Sequence, residues 1–409
     1  IEENKAPFAD MISLEMGKLK TEAQAEVKKS MELLKFYVKE SETYEKMMFA
    51  NPSSRISPQG IVFKIVPFNF PLWIAIKTAG PNLAAGNTML IRPPDTAPQT
   101  YELFEKEANK RGLNHIQIAF SDSSHTEEII ADERVVGATF TGSTAAGRKI
   151  ASIAAKNLKS YIVELGGVDP FIVWNDVYLE EAVSGVYRGR LANLGQICNS
   201  PKRVLVHTDI FDRFRDRLIA KIKKDFKQEI VLANSRVHQR LIHQLGEIVS
   251  DEATKILFFC YELNGIKRTY EESSFESEIK RAVALSEIRE NISNIKLLAP
   301  PVFETLASTS VTHREEIFGP VFSLKRVSSL EETTDIANQT SYGLCGSALV
   351  NDEKVSKSLF DQIKCGGFFV NTLPTSYWNM PWGGTKDSGV GRECAFDGFS
   401  NFVTRKTVI

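Results

Sequence analysis

The feature that most constrains the fold is a series of short apolar segments, beginning at Gly60, that alternate with helical patterns. The segments are IVFKIV, TMLIR, IQIAF, VVGATF, SYIVEL and PFIVW, and most are bounded by Gly or Pro. Helical patterns such as Ala97 to Arg111 and Thr144 to Leu158 lie between them. Buried apolar strands separated by helices are typical of parallel sheets. The pattern predicts an α/β protein built from βαβ units in open, doubly wound sheets.

The chain on either side of this block predicts more helices and a second α/β region. Residues from about Ala6 to Met47 repeat apolar positions every three or four residues, which is typical of amphipathic helices. After Val168, strand and helix patterns alternate again. The predicted helices there are Leu179 to Asn193 and Ile210 to Phe226, and the predicted strands are Val204 to His207 and Phe322 to Val327.

Two other segments need their own interpretation. Between about Glu229 and Ala299 glycine is scarce and charged helical patterns dominate, as in VHQRLIHQLGEIV and SEIKRAVALSEI. The final residues, NFVTRKTVI, alternate like an exposed strand. Such a strand could pair with another part of the chain or with another subunit.

Composition excludes several classes of function. The chain has 50 basic and 51 acidic residues, so it predicts no basic face for nucleic acid and no polybasic membrane signal. Its longest uncharged stretches, Ile65 to Ile76 and Thr78 to Ile91, are too short and too interrupted to span a bilayer. The opening IEENKAPFAD lacks the cationic start and apolar block of a signal peptide. We therefore expect a small-molecule partner.

The five cysteines predict reduced thiols and a cytoplasmic location. They are scattered along the chain and never form a C-x-x-C pair. No Cys/His cluster or H-E-x-x-H motif predicts a metal site.

Cys198 differs from the other cysteines in its surroundings, NLGQICNSPKR. A structural cysteine usually lies in an apolar run, whereas Cys198 lies between a Gly-Gln pair and a polar turn. Lys202, Arg203 or a helix N-terminus could stabilise its thiolate as a nucleophile. The alternative is a satisfied core thiol.

Two polar residues lie at or just beyond the ends of predicted strands. Glu164, in SYIVELGG, would lie at the carboxyl edge of a sheet, where α/β proteins bind ligands. Flanked by Val163 and Leu165, it could have a raised pKa and act as a general base, or it could be an ion-paired residue. Asn69, in VPFNFPLW, could donate to a developing oxyanion, or it could be an ordinary turn residue.

The segment VVGATFTGSTAAGRKIASIAAK predicts a strand followed by a helix that begins near Gly142 and Ser143. Free backbone N–H groups at this N-terminus could bind a phosphate, although a plain capped helix is the alternative. A P-loop is excluded because Arg148 and Lys149 are not followed by Ser or Thr, and no G-x-G-x-x-G fingerprint occurs in the chain.

The order and spacing of these features resemble the aldehyde dehydrogenase superfamily. PFNFP, FTGSTAAG, ELGG and GQIC follow one another, with 34 residues from Glu164 to Cys198. EEIFGPV (Glu315 to Val321) and PWGGTKDSGVGRE (Pro381 to Glu393) extend the match to nearly the whole chain except roughly residues 229 to 299. ELGGVDPFIVWND and NFPLW are similar to the succinate-semialdehyde dehydrogenase branch.

The resemblance implies three structural parts. A Rossmann-type nucleotide-binding domain would comprise residues 1–43 and 58–167, and an α/β catalytic domain would comprise residues 168–370. A β oligomerisation arm, residues 44–57 and 396–409, would join subunits into a homodimer or homotetramer. The resemblance also implies that the N-terminal part of the nucleotide-binding domain is absent from this sequence.

The resemblance also implies a catalytic chemistry. The Cys198 thiolate would attack an aldehyde carbon, and the Asn69 amide and the Cys198 N–H would hold the oxyanion. Hydride transfer to the nicotinamide would leave a thioester on Cys198, and Glu164 would activate the water that hydrolyses it.

Cofactor residues also follow from the resemblance, and they imply NAD or NADP. Arg92 and Asp95 replace the family's usual Lys and Glu near the adenine ribose, and the acidic Asp95 favours NAD slightly. The other implied positions are Pro67, Phe68 and Leu165 along the cleft, Gly142 and Ser143 at the pyrophosphate, and Glu316 and Phe318 at the nicotinamide ribose and ring.

The expected substrate is a short semialdehyde such as succinate semialdehyde. Lys77 replaces an Arg that commonly meets the substrate carboxylate in that branch, and lysine keeps the charge but loses bidentate geometry; a solvated helix charge is the alternative. Trp73, Tyr377 and Trp378 could line an apolar tunnel or simply pack.

Three other functions remain open from sequence. The chain could oxidise another small aldehyde, such as glyceraldehyde or lactaldehyde. It could pass its thioester to coenzyme A, although Glu164 argues against that reaction. It could also be a non-catalytic relative, because residues 229 to 299 lack the family's usual Gly-Asp-Pro and Gly-rich segments.

Overall fold

The computed structural model describes residues 1–49, 54–272 and 286–407. The chain divides into two compact units, Ile1–Gly166 with Ser376–Ile409, and Gly167–Thr375. The strands are β1 (Ser54–Pro58), β2 (Ile61–Ile65), β3 (Thr88–Arg92), β4 (Ile116–Ile118), β5 (Val135–Thr141), β6 (Ser160–Glu164), β7 (Pro170–Val173), β8 (Arg203–His207), β9 (Thr254–Leu263), β10 (Ile266–Glu271), β11 (Lys296–Leu297), β12 (Val302–Thr305), β13 (Phe322–Val327), β14 (Cys345–Leu349), β15 (Gly367–Val370), β16 (Gly389–Val390) and β17 (Val403–Thr407). The helices with defined ends are α1 (Lys5–Met16), α2 (Lys20–Phe49), α3 (Pro71–Ala84), α4 (Pro98–Asn109), α5 (Thr126–Ala131), α6 (Thr144–Lys156), α7 (Leu179–Leu191), α8 (Thr208–Asp225), α9 (Ser235–Ser250), α10 (Val311–Arg314), α11 (Leu330–Asn338), α12 (Glu353–Gln362) and α13 (Ala395–Ser400).

The first unit is built on a sheet with the strand order β16-β6-β5-β2-β3-β4. Strands β2 to β6 run parallel, and β16 joins the edge antiparallel to β6. The apolar runs predicted as strands are confirmed, because they form β2 to β6 here and β7 in the second unit. Parallel strands place their carboxyl ends at one edge of the sheet, so the turns after β2, β3, β5 and β6 share that edge.

The first unit also contains the two N-terminal helices and a two-stranded ribbon. The amphipathic helices predicted near the start of the sequence are confirmed as α1 and α2. Gly17 ends α1 in the left-handed conformation, at φ 68°, and returns its N–H to the Ser13 carbonyl. The strand predicted at the C-terminus is confirmed as β17, which pairs antiparallel with β1. Its role as an oligomerisation arm stays a prediction.

The second unit contains a mixed sheet in the order β10-β9-β12-β13-β8-β7-β14-β15, with β11 also paired to β9. Strands β12, β13, β8, β7, β14 and β15 are parallel, while β9 pairs antiparallel with β10, β11 and β12. The predicted helices α7 and α8 and the predicted strands β8 and β13 are confirmed. An apolar core that includes Phe171, Phe211 and Phe303 covers one face of this sheet.

The region from 229 to 299 contains strands as well as the predicted helix. VHQRLIHQLGEIV forms α9 as predicted, and the next segment forms the β9–β10 hairpin, which was not predicted. Asn264 and Gly265 form its turn at φ 52° and 78°, the left-handed geometry that favours a two-residue Asn-Gly hairpin. Much of the predicted helical segment SEIKRAVALSEI falls in residues 273–285, which lie outside the described residues. The described residues 286–291 are helical.

No helix in the described ranges combines the length and apolar character that crossing a membrane requires.

Candidate active site

Glu164 ends β6 at the carboxyl edge of the first sheet, as predicted. It is only 3% exposed. Its Oε1 atom has no hydrogen-bond partner among the described groups, and a side chain at Gly383 would place its Cβ 2.9 Å from that atom. Burial raises the pKa of Glu164 to about 8, although the charge of Lys77 opposes the rise. A carboxyl group with this pKa is suited to accept a proton near neutral pH.

Three other charged side chains are buried with Glu164 in the first unit, and we call the four residues Lys64, Lys77, Glu164 and Glu393 the buried charge cluster. The Lys77 Nζ lies 2.6 Å from Glu393 Oε2, and the Lys64 Nζ lies 3.4 Å from Glu393 Oε1. Thr78 also donates its hydroxyl to Glu393, at 2.7 Å. Glu393 is therefore the carboxylate on which both lysines converge.

The pKa values within the buried charge cluster diverge. Burial opposes ionisation of Glu393, but Lys64 and Lys77 lower its pKa to about 2. Burial also opposes the charge of Lys77, yet the Glu393 and Glu164 carboxylates raise its pKa above the usual value. Burial lowers the pKa of Lys64 despite Glu393. The Lys77–Glu393 pair is thus firmly ionised, whereas Glu164 and Lys64 are shifted toward their neutral forms.

Asn69 lies in the turn between β2 and α3 and is buried. A buried ion pair fixes this turn: Lys18 Nζ donates to the Asn69 carbonyl and to Glu26, both at 2.8 Å. The other Glu26 oxygen accepts the N–H groups of Leu72 and Trp73 in the first turn of α3, at 2.9 and 3.0 Å. The backbone position of Asn69 is therefore set by the Lys18–Glu26 pair and the start of α3.

The predicted cofactor residues of the first unit lie at the carboxyl edge of its sheet. Arg92 ends β3, donates Nε to the Ser121 carbonyl at 2.9 Å and pairs with Asp95 at 3.0 Å. Ser143 is the N-cap of α6, where its hydroxyl accepts the Ala146 N–H. Leu165 is buried, and Pro67 and Phe68 are half-buried. These positions fit a dinucleotide cleft, but the binding roles stay predictions.

The predicted substrate residues of the first unit differ in environment. Lys77 is 3% exposed and already holds Glu393. Trp73 is buried, with Lys29 Nζ 4.3 Å from its ring centre, whereas Tyr377 is 38% exposed and Trp378 half-buried. The Lys77–Glu393 pair competes with a substrate carboxylate for Lys77, so its substrate role stays a prediction.

Cys198 belongs to the second unit and lies on a partly exposed loop after α7. Three successive residues before it, Asn193, Leu194 and Gly195, have left-handed φ values of 48°, 51° and 72°. Such backbone conformations are uncommon outside glycine and tend to occur at functional sites. A Cβ at Gly195 would lie 2.3 Å from the Gly319 carbonyl, so this approach requires glycine.

Arg190, at the end of α7, fixes the loop that carries Cys198. It is fully buried and donates Nη1 to the Ser200 hydroxyl at 2.6 Å. Its other nitrogens donate to the Val321 carbonyl at 2.6 Å and the Ile317 carbonyl at 2.7 Å. One guanidinium group therefore ties the loop that follows Cys198 to the EEIFGPV segment.

Lys202 connects the same two segments. Its Nζ donates to the carbonyl of Ile197, at 2.8 Å, and to that of Cys198, and lies 3.4 Å from Glu316 Oε1. Glu316 is 8% exposed and accepts the Gly167 N–H at 3.2 Å, and Phe318 next to it is half-buried. The structure therefore brings together, within the second unit, the predicted nucleophile loop and the predicted ribose-binding carboxylate.

A family model decides the classification, because the model of the aldehyde dehydrogenase family matches residues 1–235 and 272–408. The chain belongs to the aldehyde dehydrogenase family. The gap in the match, 236–271, contains all but the first residue of α9 and the β9–β10 hairpin, which was not predicted. Membership confirms the predicted class of activity, an oxidoreductase that acts on aldehydes with NAD(P), and the predicted aldehyde-dehydrogenase-like α/β fold.

Known aldehyde dehydrogenases resemble the chain over nearly its whole length. A succinate-semialdehyde dehydrogenase (NADP(+)) 1 of Mycobacterium bovis is 32% identical over 98% of this chain and 85% of the relative. A succinate-semialdehyde dehydrogenase (NADP(+)) of Mycobacterium avium is 32% identical over 98% of this chain and 82% of the relative. The structure of succinic semialdehyde dehydrogenase from Streptococcus pyogenes in complex with NADP+ has a TM-score of 0.85, is 27% identical and covers 100% of this chain and 87% of that one.

The three predicted catalytic residues are divided between the two units. Asn69 and Glu164 belong to the first, and Cys198 belongs to the second. Their catalytic roles stay predictions, as do the individual cofactor and substrate contacts.

Sequence reasoning missed four residues that hold the site. Lys18 and Glu26 fix the Asn69 turn, Arg190 fixes the Cys198 loop, and Lys64 joins the buried charge cluster. Lys64 carried a signal, because a lysine in the apolar run IVFKIV must bury its charge in a central strand. Glu26 and Arg190 are polar residues on helices, and Lys18 lies in the turn between α1 and α2. A surface position is the ordinary expectation for each of them.

Within the described ranges, no three His, Cys, Asp or Glu residues are grouped so that they could hold a metal ion.

Proposed function

We propose that the protein oxidises a short aldehyde that bears a carboxylate, such as succinate semialdehyde, to the corresponding acid with NADP+. The observation that carries this proposal is 32% identity over 98% of the chain to enzymes named for that substrate and cofactor. The chain also retains Cys198, Glu164 and Asn69, which the reaction needs as nucleophile, base and oxyanion donor.

The residues of this chain fit a dinucleotide by their chemistry. The N-terminus of α6, capped by Ser143, offers main-chain N–H groups to a phosphate. Arg92 supplies a cation for the adenosine end, and Glu316 supplies an acceptor for a ribose hydroxyl. When bound, NADP+ accepts the hydride that leaves the substrate carbon.

The choice of NADP+ revises the slight preference for NAD drawn from Asp95, which the comparisons do not support. An exposed carboxylate would repel a 2′-phosphate. The Arg92 guanidinium lies 3.0 Å from Asp95, however, and offsets its charge. The relatives named for NADP(+) therefore outweigh the argument from Asp95.

The first chemical step belongs to Cys198. The Lys202 ammonium donates to the Cys198 carbonyl and so holds the backbone that carries the nucleophile. The thiolate sulfur bonds to the aldehyde carbon, and the new oxyanion accepts hydrogen bonds from the Asn69 amide and the Cys198 N–H. Loss of hydride from this carbon leaves a thioester on Cys198.

The second chemical step belongs to Glu164. Its ionised carboxylate takes a proton from water as the water oxygen bonds to the thioester carbon. The carbon–sulfur bond then breaks, which releases the carboxylic acid product and restores the Cys198 thiolate. A carboxyl group with a pKa of about 8, whose Oε1 has no hydrogen-bond partner among the described residues, is consistent with this role.

Lys77 is the proposed partner of the substrate carboxylate, shared with Glu393. If it has this role, Lys77→Gln raises KM for succinate semialdehyde and leaves KM for a neutral aldehyde of similar length unchanged. If Lys77 serves only Glu393, the variant changes both substrates alike.

The assembly and location of the protein are also proposals. We infer a homodimer or homotetramer joined through the β1–β17 ribbon, which carries the sequence's exposed strand pattern. We infer a cytoplasmic location because the five cysteines are odd in number, scattered along the sequence and never paired as C-x-x-C.

The test of the proposed function is a comparison of initial rates. Purified protein is given succinate semialdehyde, glyceraldehyde, lactaldehyde or a neutral aliphatic aldehyde, each with NAD+ and with NADP+. We expect the highest kcat/KM with succinate semialdehyde and NADP+, and no turnover by Cys198→Ala. A higher kcat/KM for a neutral aldehyde would reject the carboxylate preference, and an absolute requirement for coenzyme A would reject hydrolysis.

A further inference from the structure

We propose that Lys64 is a positioning residue whose buried ammonium favours the ionised form of Glu164 that hydrolysis of the thioester needs. The inference rests on the proposed function, because it concerns the base of that reaction. It is carried by the placement of Lys64 on the strand β2, by its hydrogen bonds, and by the count of charges in the buried charge cluster.

The sheet places Lys64 and Glu164 on one face. Lys64 on β2 is in register with Thr139 on β5, and Thr141, two residues later on β5, is in register with Glu164 on β6. Neighbouring positions in register, and positions two residues apart, project from the same side of a sheet. The Lys64 Nζ reaches along this face to the Thr141 hydroxyl at 2.8 Å, toward the strand end that carries Glu164.

The hydrogen bonds of Lys64 support a charged ammonium in the core. Its Nζ donates to Thr141 at 2.8 Å and to Thr139 at 3.3 Å, and lies 3.4 Å from Glu393. The side chain is fully buried. A buried ammonium needs such acceptors, and it also needs a balancing negative charge.

The charge count identifies Glu164 as that balance. Lys64 and Lys77 carry two positive charges when both are ionised, and Glu393, which contacts both, supplies one negative charge. Glu164 is the other carboxylate of the cluster. The four charges sum to zero when Glu164 is ionised as well, so an ammonium on Lys64 favours a carboxylate on Glu164.

Two further titratable groups face Glu164 and do not replace Lys64. Arg392 is partly exposed and donates to the carbonyls of Gly384 and Gly391, so water screens its charge. Cys394 is buried, and burial raises its pKa to about 12, so it stays a neutral thiol. Within the cluster itself, Lys77 also favours the ionised form of Glu164, but it lies 2.6 Å from Glu393 and divides its charge between the two carboxylates.

The experiment measures how fast the acyl group leaves Cys198. Protein is mixed with NADP+ and succinate semialdehyde, quenched with acid at intervals, and weighed intact by mass spectrometry across a range of pH. We expect Lys64→Met to form the same adduct but to lose it about tenfold more slowly near neutral pH. The midpoint of the lower limb of the rate–pH profile should move about one pH unit higher. Lys64→Arg keeps the charge and should restore the profile.

Control variants separate a specific effect from damage to the fold. Lys159→Met removes a partly buried lysine of the same unit that bonds to the Asp132 carbonyl, and it should decay like the natural protein. If Lys64→Met does not fold, Thr141→Val is the test variant. Losing the Thr141 hydroxyl removes an acceptor that stabilises the Lys64 ammonium. The midpoint of the lower limb of the pH profile should therefore rise by a smaller amount than in Lys64→Met. If the variant folds and the midpoint of the lower limb does not move, the inference is overturned.

The failure of the proposed function would look different. In that case the natural protein never forms an adduct on Cys198. An adduct that forms and decays with the same pH profile in Lys64→Met and in the natural protein leaves the proposed function intact and rejects the role of Lys64.

Discussion

The Lys202 ammonium lies 3.4 Å from the Glu316 carboxylate and also donates to the Cys198 carbonyl. One cation therefore links the predicted nucleophile loop to the predicted ribose-binding residue. Removing it would leave Glu316, which is 8% exposed, with the Gly167 N–H as its remaining described donor. A buried carboxylate that loses its cation changes position or becomes protonated.

We therefore expect Lys202→Met to raise KM for NADP+ about tenfold, the factor that corresponds to 1.4 kcal/mol. We also expect kcat to fall, because the Cys198 loop loses the donor to its carbonyls. Steady-state kinetics with varied NADP+ measure both effects. Lys325→Met, which removes a partly buried lysine elsewhere in the second unit, serves as the matched control. Equal KM values for Lys202→Met and this control would contradict the linking role.

The apolar runs of the sequence predicted the strands well because burial on both faces of a parallel sheet leaves a continuous apolar segment. The β9–β10 hairpin was missed although Asn264–Gly265 is a strong hairpin signal. IKRTYE forms the edge strand β10, and its charged residues made the sequence of this region resemble that of an exposed helix.

The site was only partly predictable for a different reason. Cys198, Glu164 and Asn69 stand in local motifs that sequence order reveals. Lys64 and Glu393 meet across 329 residues, and Lys18 meets the Asn69 carbonyl across 51. Spacing along a chain does not encode such contacts, because they depend on how strands and helices are arranged in three dimensions.

Glu164→Gln should block hydrolysis and spare acylation. The amide keeps the shape of the side chain but cannot take a proton from water, so we expect kcat to fall by about 10²-fold or more. In the natural protein kcat should rise with pH up to about 8, because the carboxyl group acts only when ionised and burial raises its pKa to about 8. A pH profile of kcat that is flat across this range would argue that another group is the base.

Glu26→Gln should displace Asn69, the proposed oxyanion donor, although Glu26 itself is not proposed to contact the substrate. The Glu26 carboxylate holds Lys18 and two N–H groups of α3, and Lys18 holds the Asn69 carbonyl. We expect kcat to fall about tenfold, less than the 10² to 10³-fold loss typical for removing an oxyanion donor, which Asn69→Ala would do. Breaking the buried pair should also lower the free energy of unfolding by about 3 kcal/mol. Unfolding in urea and kinetics on the same preparations would separate these effects, and an unchanged kcat would refute the link to Asn69.

His313 should make the protein sensitive to acid. Burial and the Arg203 guanidinium, whose Nη1 lies 3.1 Å from His313 Nε2, lower its pKa from 6.5 to about 3. The unfolded chain therefore binds a proton that the folded chain does not, and the stability present above pH 6.5 is lost progressively as the pH falls toward 3. Between neutral pH and about pH 5.5 this loss amounts to about 1.4 kcal/mol.

The test for His313 compares the natural protein with His313→Gln, which retains an acceptor for Arg203. Urea unfolding at neutral pH and near pH 5.5 gives the free energy of unfolding for both proteins. The natural protein should lose about 1.4 kcal/mol more than the variant over this interval. Equal losses would show that another group accounts for the acid sensitivity.

The most direct measurement is the mass of the protein after an acid quench during turnover of succinate semialdehyde with NADP+. The central claim predicts a succinyl adduct on Cys198 that is transient in the natural protein, persistent in Glu164→Gln and absent in Cys198→Ala. NADPH formation without any adduct, or an adduct that survives in Cys198→Ala, would contradict it.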